Sequence, residues 1–296
     1  MKITLGICAY NEEKNIAKLL DNLITKQNLP PNSEIMVVCS GCTDSTPEVV
    51  KRLHEMNGQV KLILENERRG KATALNVLLR RVRHTTDVLV LVNADTFPSI
   101  DSLNKLIQPF NNDYVGATFG RPIPINGQES PPNFIVHIIW DLHHKISLYK
   151  WVKMSGEFCA IRPSLVKGIP INLATDEPYM EMLIQRQGYR ITYVPDAVVY
   201  IKGPENFRDL LKQRRRIWTG HLQIKKLTGY TVSTSDPRKI LSVLAKSLRL
   251  NFKGLTLILL GAVLEVCAYL LARYDLNKGW VPYKWEMLGS TKVLNF

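Results

Sequence analysis

From Lys2 to Val92 the chain repeats one pattern three times: a short apolar, β-rich run, a polar turn, and a segment with apolar residues at helical spacing. The runs are Ile3–Cys8, Glu34–Cys39, Val60–Leu64 and Val88–Val92, and the helical segments between them are Glu12–Thr25, Thr46–Met56 and Lys71–Arg83. Strands alternating with helices at this length predict an α/β fold, a Rossmann-like, mostly parallel mixed sheet flanked by helices, with ligands at the carboxyl ends of the strands. Beyond Pro98 the pattern predicts a helix over Asp101–Phe110, a strand over Tyr114–Gly120 and a proline-rich loop over Pro122–Pro132. Asn133–Trp151 mixes large apolar residues with His137, His143, His144 and Lys145, which fits either an ordinary packed helix or an interfacial one. Further on, Glu177–Gln187 and Asn206–Leu227 read as helices and Tyr189–Val194 as a strand.

The tail has a different composition. After Pro237–Arg249 comes Leu255–Ala272, eighteen residues whose only charge is Glu265. As a helix it measures about 27 Å, marginal for a bilayer, so a membrane helix and a buried core helix are both open. Lys246, Arg249, Lys253 and Arg273 flank it and suit anionic headgroups. The division expected is a catalytic domain over residues 1–230 and a C-terminal hydrophobic helical segment over 231–296.

The 296-residue chain carries 39 Lys plus Arg against 26 Asp plus Glu, a net +13. That balance points to phosphate-bearing partners: a nucleotide diphosphate, an anionic lipid surface or nucleic acid. Aromatic platforms do not cluster with the basic residues, which argues against nucleic acid. Five cysteines, odd in number and mostly in apolar runs, fit reduced core residues. Cys39 and Cys42 have C-x-x-C spacing, but no second Cys/His pair completes a zinc site. The short apolar run after Met1 is followed at once by acids and reads as a first strand, so the catalytic part is expected on the cytoplasmic side.

The polar clusters all fall at expected strand ends. The first run ends in Ala9-Tyr10-Asn11-Glu12, the second in Ser40-Gly41-Cys42-Thr43-Asp44, the third leads to Gly70-Lys71, and the fourth into Asn93-Ala94-Asp95. Short polar side chains, a glycine–lysine turn and a carboxylate suit a nucleotide diphosphate with a metal.

In this order the motifs resemble those of the family-2 glycosyltransferases of the GT-A fold, such as dolichyl-phosphate mannose synthases and cellulose and hyaluronan synthases. The resemblance implies inverting sugar transfer from a UDP- or GDP-sugar, with Mn²⁺ or Mg²⁺, to a glycan or lipid-linked acceptor at a membrane. It assigns donor binding to Ala9, Tyr10, Asn11, Glu12, Ser40, Asp44, Gly70, Lys71, Asn93, Ala94 and Asp95. The family's D-x-D motif stands here as Asn93-Ala94-Asp95, so Asp95 is the expected metal ligand and its first acid is an amide; the bland reading of Asp95 is a helix cap.

Thr175-Asp176-Glu177 resembles the family's T/E-E-D motif with the two acids exchanged. Asp176 is the first candidate for general base and Glu177 the second, whereas helix-dipole preference alone accounts for acids at a helix start. Gln213-Arg214-Arg215-Arg216-Ile217-Trp218 resembles Q-x-x-R-W with the tryptophan one residue late. Gln213, Arg214, Arg216 and Trp218 are then expected at the diphosphate and acceptor. Gly156 is expected to let backbone approach the donor sugar, with a plain turn glycine as the alternative. A nucleotidyltransferase would share the sheet but need a Gly-rich signature after the first strand, which is missing. A non-catalytic sugar- or lipid-binding relative would lose the base, and both acids are present.

Overall fold

The computed structural model describes residues 1–149, 151–247 and 252–291. Arg249, expected to flank the tail helix, lies outside them.

The N-terminal half follows the alternation closely. Strands β1 (Ile3–Ala9), β2 (Glu34–Ser40), β3 (Val60–Glu65) and β4 (Val88–Val92) alternate with helices α1 (Ile16–Thr25), α2 (Thr46–Met56) and α3 (Lys71–Val82). They pair in parallel in the order β3-β2-β1-β4. Every residue of β4 is buried, as expected for a central strand covered on both faces. Ile16, Leu19, Leu20 and Leu23 of α1 line one face of the sheet, and Leu75, Leu78, Leu79 and Val82 of α3 the other. Helix α1 begins four residues later than expected, because Glu12 is drawn into the turn: its carboxylate accepts from Asn15 Nδ2 at 2.9 Å, and its N–H donates to Thr46 Oγ1 at 2.7 Å.

Two strands that the pattern does not announce complete the sheet, one beside β4 and one at the far edge. They are β5 (Thr96–Pro98) and, after α4 (Ser102–Ile107), β6 (Val115–Pro124) and α5 (Pro131–Leu148), the antiparallel strand β7 (Phe158–Ile161). After α6 (Glu177–Arg186), strand β8 (Arg190–Ile201) joins β6 in parallel, giving eight strands in the order β3-β2-β1-β4-β7-β6-β8-β5. Pro122 and Pro124, expected in a loop, extend β6 instead. Beyond Phe119 β7 no longer pairs with β6, so one side of β6 is an edge there and tolerates residues without an N–H.

Helix α7 (Phe207–Thr228) closes on Gly229 in the left-handed region (φ 74°) and is followed by α8 (Pro237–Ser247) and α9 (Phe252–Asn277). Helix α9 lies along α7, held by two ion pairs. Glu265 takes Arg214 Nε at 2.6 Å, and Asp275, 3% exposed, takes the guanidinium of Arg215. The two acids are ten residues apart, about 15 Å of helix, so α9 is clamped along its length. Its other faces carry exposed Leu255, Leu259, Leu260, Val263, Val266, Leu270 and Tyr274. Among the described residues this is the one helix long and apolar enough to cross a membrane, Gly254–Asn277, with a mean hydropathy of 2.3 over its most apolar eighteen residues.

Candidate functional site

The parallel strands β1, β2 and β4 bring their carboxyl ends to one edge, where a cleft of about 190 Å³ is lined by Ala9, Tyr10, Glu12, Ser40, Gly70, Lys71, Asn93, Ala94, Asp95, Gln213 and Arg216. Most residues expected at the donor therefore meet there. Ala9 and Ala94, 2% and 4% exposed, keep the walls close to backbone. Ser40 Oγ is buried in the wall with no hydrogen-bond partner.

Lys71 opens α3 and places Nζ 3.0 Å from Asn93 Oδ1 and 3.8 Å from Asp176 Oδ2. Burial opposes its charge, but Asp176, Glu177 and Glu157 outweigh that and hold its pKa above the ordinary value. Gly70 before it has φ 94°, a conformation open to glycine, and a Cβ there would stand 2.8 Å from the Tyr283 carbonyl oxygen.

Asp95 caps no helix, since β5 intervenes and α4 starts at Ser102. Beside it, Asn93 Nδ2 donates to Glu157 Oε2 at 2.6 Å, and Asp95 is the strongest charge, after burial itself, in raising the Glu157 carboxyl to about 7. Sequence reasoning missed Glu157; its position directly after Gly156 was the available signal.

Asp176 holds the cap position of α6 yet makes no side-chain cap bond, so the helix-dipole reading does not account for its pairing with Lys71. Burial, with Glu177 alongside, pushes its carboxyl up to about 6 against the opposing pull of Lys71. Glu177 is only partly buried. Burial would raise its pKa too, but Lys71 and Lys153 hold it below the ordinary carboxylate range. Gly156 has a role other than the expected one: a Cβ there would come within 2.1 Å of Glu177 Oε1, so the missing side chain makes room for this carboxylate.

Some expected residues turn elsewhere. Asp44 Oδ1 accepts from the Thr46 N–H and hydroxyl, and its Oδ2 accepts from the Glu13 N–H, which fastens the loop after β2. Asn11, at φ 53°, ties the two loops by exchanging bonds with Thr43. Arg214 and Trp218 do not reach the cleft: Arg214 pairs with Glu265, and Trp218 Nε1 donates to the same carboxylate at 2.8 Å. The physical reason is α9, whose lone mid-helix acid needs partners away from water.

Arg216 faces inward, its guanidinium 3.6 Å from the ring centroid of Trp285. Trp285 belongs to the chain after α9, which returns over the cleft; its Nε1 donates to the Ala174 carbonyl at 3.0 Å, and Arg68, stacked on Tyr10, donates to its carbonyl. Nothing in the spacing of the tail announces this contact.

Comparison with known proteins decides the family of a chain with this geometry. The model for "Glycosyl transferase family 2" matches residues 4–166, and that for "Glycosyl transferase family group 2" matches 88–285. The chain belongs to glycosyl transferase family 2. Poly-beta-1,6-N-acetyl-D-glucosamine synthase of Staphylococcus aureus (strain COL) is 28% identical over 224 residues, covering 72% of this chain and 53% of that protein. The probable glycosyltransferase YdaM of Bacillus subtilis (strain 168) is 25% identical over 228 residues, covering 73% and 54%. The chain thus spans about half the length of these family-2 relatives.

Among solved structures, the mannosyltransferase PcManGT from Pyrobaculum calidifontis, in complex with GDP-Man and Mn²⁺, superimposes with a TM-score of 0.62 at 24% identity, covering 94% of this chain and 86% of that one. S. aureus TarS 1-349 in complex with UDP-GlcNAc gives 0.52 at 16% identity, covering 98% and 95%. These likenesses establish the GT-A fold for this family-2 chain.

The fit between Gly156 and Glu177 is directly testable. Gly156→Ala is expected to destabilise the protein by roughly 1–3 kcal/mol through overpacking, and adding Glu177→Ala should recover much of that loss. Chemical denaturation of both variants checks it; equal losses in the two would show that the carboxylate does not occupy the space.

Proposed function

We propose that the protein transfers a sugar from a nucleotide diphosphate sugar to a hydroxyl acceptor with inversion of configuration. The observation that carries this reading is the convergence of Lys71, Asn93, Asp95, Arg216 and the Asp176–Glu177 pair at one sheet edge. Tyr10 and Ser40 flank the nucleoside side of the cleft, and Lys71 and Arg216 supply positive charge for the diphosphate leaving group. UDP- and GDP-sugars are the candidate donors, since relatives of the fold are bound to GDP-Man and UDP-GlcNAc.

Asp95 would hold a Mn²⁺ or Mg²⁺ ion, and the residues fit one. The carboxylate lines the cleft without an ion pair among the described residues, beside Glu157 and with room for further oxygen ligands. Such a site leaves coordination positions for diphosphate oxygens. Bound there, the ion would neutralise charge developing on the leaving group.

Of the two acids, Glu177 suits the base better than Asp176. A base must reach the acceptor hydroxyl, and Asp176 is 3% exposed and committed to Lys71, whereas Glu177 is partly open beside Gly156. In the transfer, Glu177 takes the proton of the acceptor hydroxyl while that oxygen attacks the anomeric carbon from the side opposite the diphosphate. Asp176 fixes the Lys71 ammonium against the phosphates.

The exposed apolar faces of α9 are proposed to rest in the cytoplasmic face of a membrane, bringing the cleft to a lipid-linked or glycan acceptor. Its length and hydropathy support this, as do the net charge of +13 and the clamp on α7, which keeps the helix beside the domain.

Two outcomes follow. With a panel of UDP- and GDP-sugars, release of nucleotide diphosphate should need Mn²⁺ or Mg²⁺, and Glu177→Gln should lower the rate roughly 10²–10⁴-fold with donor binding little changed, while Asp176→Asn weakens donor binding. Full turnover in EDTA, or a normal rate in Glu177→Gln, contradicts the mechanism. In flotation assays the protein should rise with vesicles containing anionic lipid, and the triple variant Leu259→Ser, Val263→Ser, Val266→Ser should stay behind. Equal flotation of both would remove α9 from the membrane reading.

A further inference from the structure

We propose that Glu157 is the second carboxylate of the divalent-cation site, replacing from a neighbouring strand the acid that the chain lacks at Asn93. This rests on the metal-dependent reading above and deepens it.

Glu157 stands at the start of β7, which pairs antiparallel with β4, so the residue before β7 falls beside the residue after β4: Val92 is in register with Phe158, and the Asn93 N–H donates to the Glu157 carbonyl at 3.3 Å. The side chains meet as well. Asn93 Nδ2 donates to Glu157 Oε2 at 2.6 Å, while Asn93 Oδ1 accepts from Lys71 at 3.0 Å. The amide thus uses its oxygen for the cation and its N–H for the acid. An aspartate at position 93 would satisfy Lys71 but face Glu157 as a like charge at contact distance. Amide at 93 and acid at 157 are therefore one arrangement, in which the negative charge has moved across the strand pair.

That charge is met by the Asn93 amide and acts on Lys71 only at longer range. Glu157 and Asp95 both line the cleft, and neither forms an ion pair within 4.0 Å among the described residues. Two partly buried carboxylates on one wall repel each other, which costs folding free energy unless a cation is shared between them. One oxygen of Glu157 is engaged by Asn93, and the other remains available as a ligand. An independent observation also points to a ligand in the same cleft: Ser40 Oγ, 94% buried in its wall by its 6% exposure, has no partner. A hard divalent ion takes oxygen ligands, and two carboxylates with diphosphate oxygens supply them.

The test is Mn²⁺ binding, read from the free-ion signal in electron paramagnetic resonance, with saturating UDP and, separately, GDP. Wild-type protein should bind one ion. Glu157→Gln should raise the Kd at least about tenfold, as loss of a metal-site carboxylate does, and the exchange variant Asn93→Asp/Glu157→Gln should bring it back to within about threefold of wild type. The exchange keeps the amide–carboxylate contact with partners reversed, so it carries the test should Glu157→Gln not fold: uptake near wild type supports the proposal, and loss overturns it. If Asp95→Asn abolishes binding while Glu157→Gln binds as wild type does, Glu157 is no ligand and the metal reading stands. If wild type takes up no Mn²⁺ with either nucleotide, the metal reading fails and this proposal with it.

Discussion

Lys71 carries the positive charge around which the acids of the cleft gather. Its side chain is 15% exposed, Nζ lies between Asn93 Oδ1 and Asp176 Oδ2, and Glu157 and Glu177 also act on it. A buried ammonium is costly unless its partners are fixed, and four elements fix them: α3 supplies the lysine, β4 the amide, β7 the glutamate and α6 the acid pair. Removing the lysine leaves like charges facing each other. In the proposed function, a diphosphate and a cation bound in the cleft would relieve that tension.

The scaffold explains why these groups hold their places. Chain ends of parallel strands present residues to one edge, and the fully buried β4 anchors the Asn93–Asp95 turn in the middle of the sheet. On the far side, α7 divides three consecutive arginines between two tasks. Arg214 and Arg215 hold α9 through Glu265 and Asp275, while Arg216 reaches the cleft beneath Trp285. An apolar helix and the donor site are thereby coupled through a single helix.

The alternating half of the fold was legible because both signals, apolar period and polar strand end, coincide from Ile3 to Asp95. Strand β7 was not, since four residues, Phe158–Ile161, carry no period long enough to separate a strand from a loop. Pro122 and Pro124 concealed the end of β6, where one side of the strand is left unpaired by β7 and tolerates them. In the site, residues whose role follows from type and local spacing, such as Lys71 and Asp95, stood out. Those whose role comes from a distant contact did not: Arg214 and Trp218 depend on Glu265, about fifty positions away, and Glu157 on a strand pairing that the pattern does not reveal. Gly156 looked like a turn or a backbone approach, and only packing shows that it makes room for Glu177.

Whether Lys71 organises a diphosphate site is decided by calorimetric titration of UDP and GDP into wild type and Lys71→Met at constant Mg²⁺. One of the two nucleotides is expected to bind wild type, and the variant, folded by circular dichroism, to lose at least about tenfold in affinity, the scale of one charge-assisted phosphate contact. Unchanged affinity in Lys71→Met would show that the lysine does not hold the diphosphate.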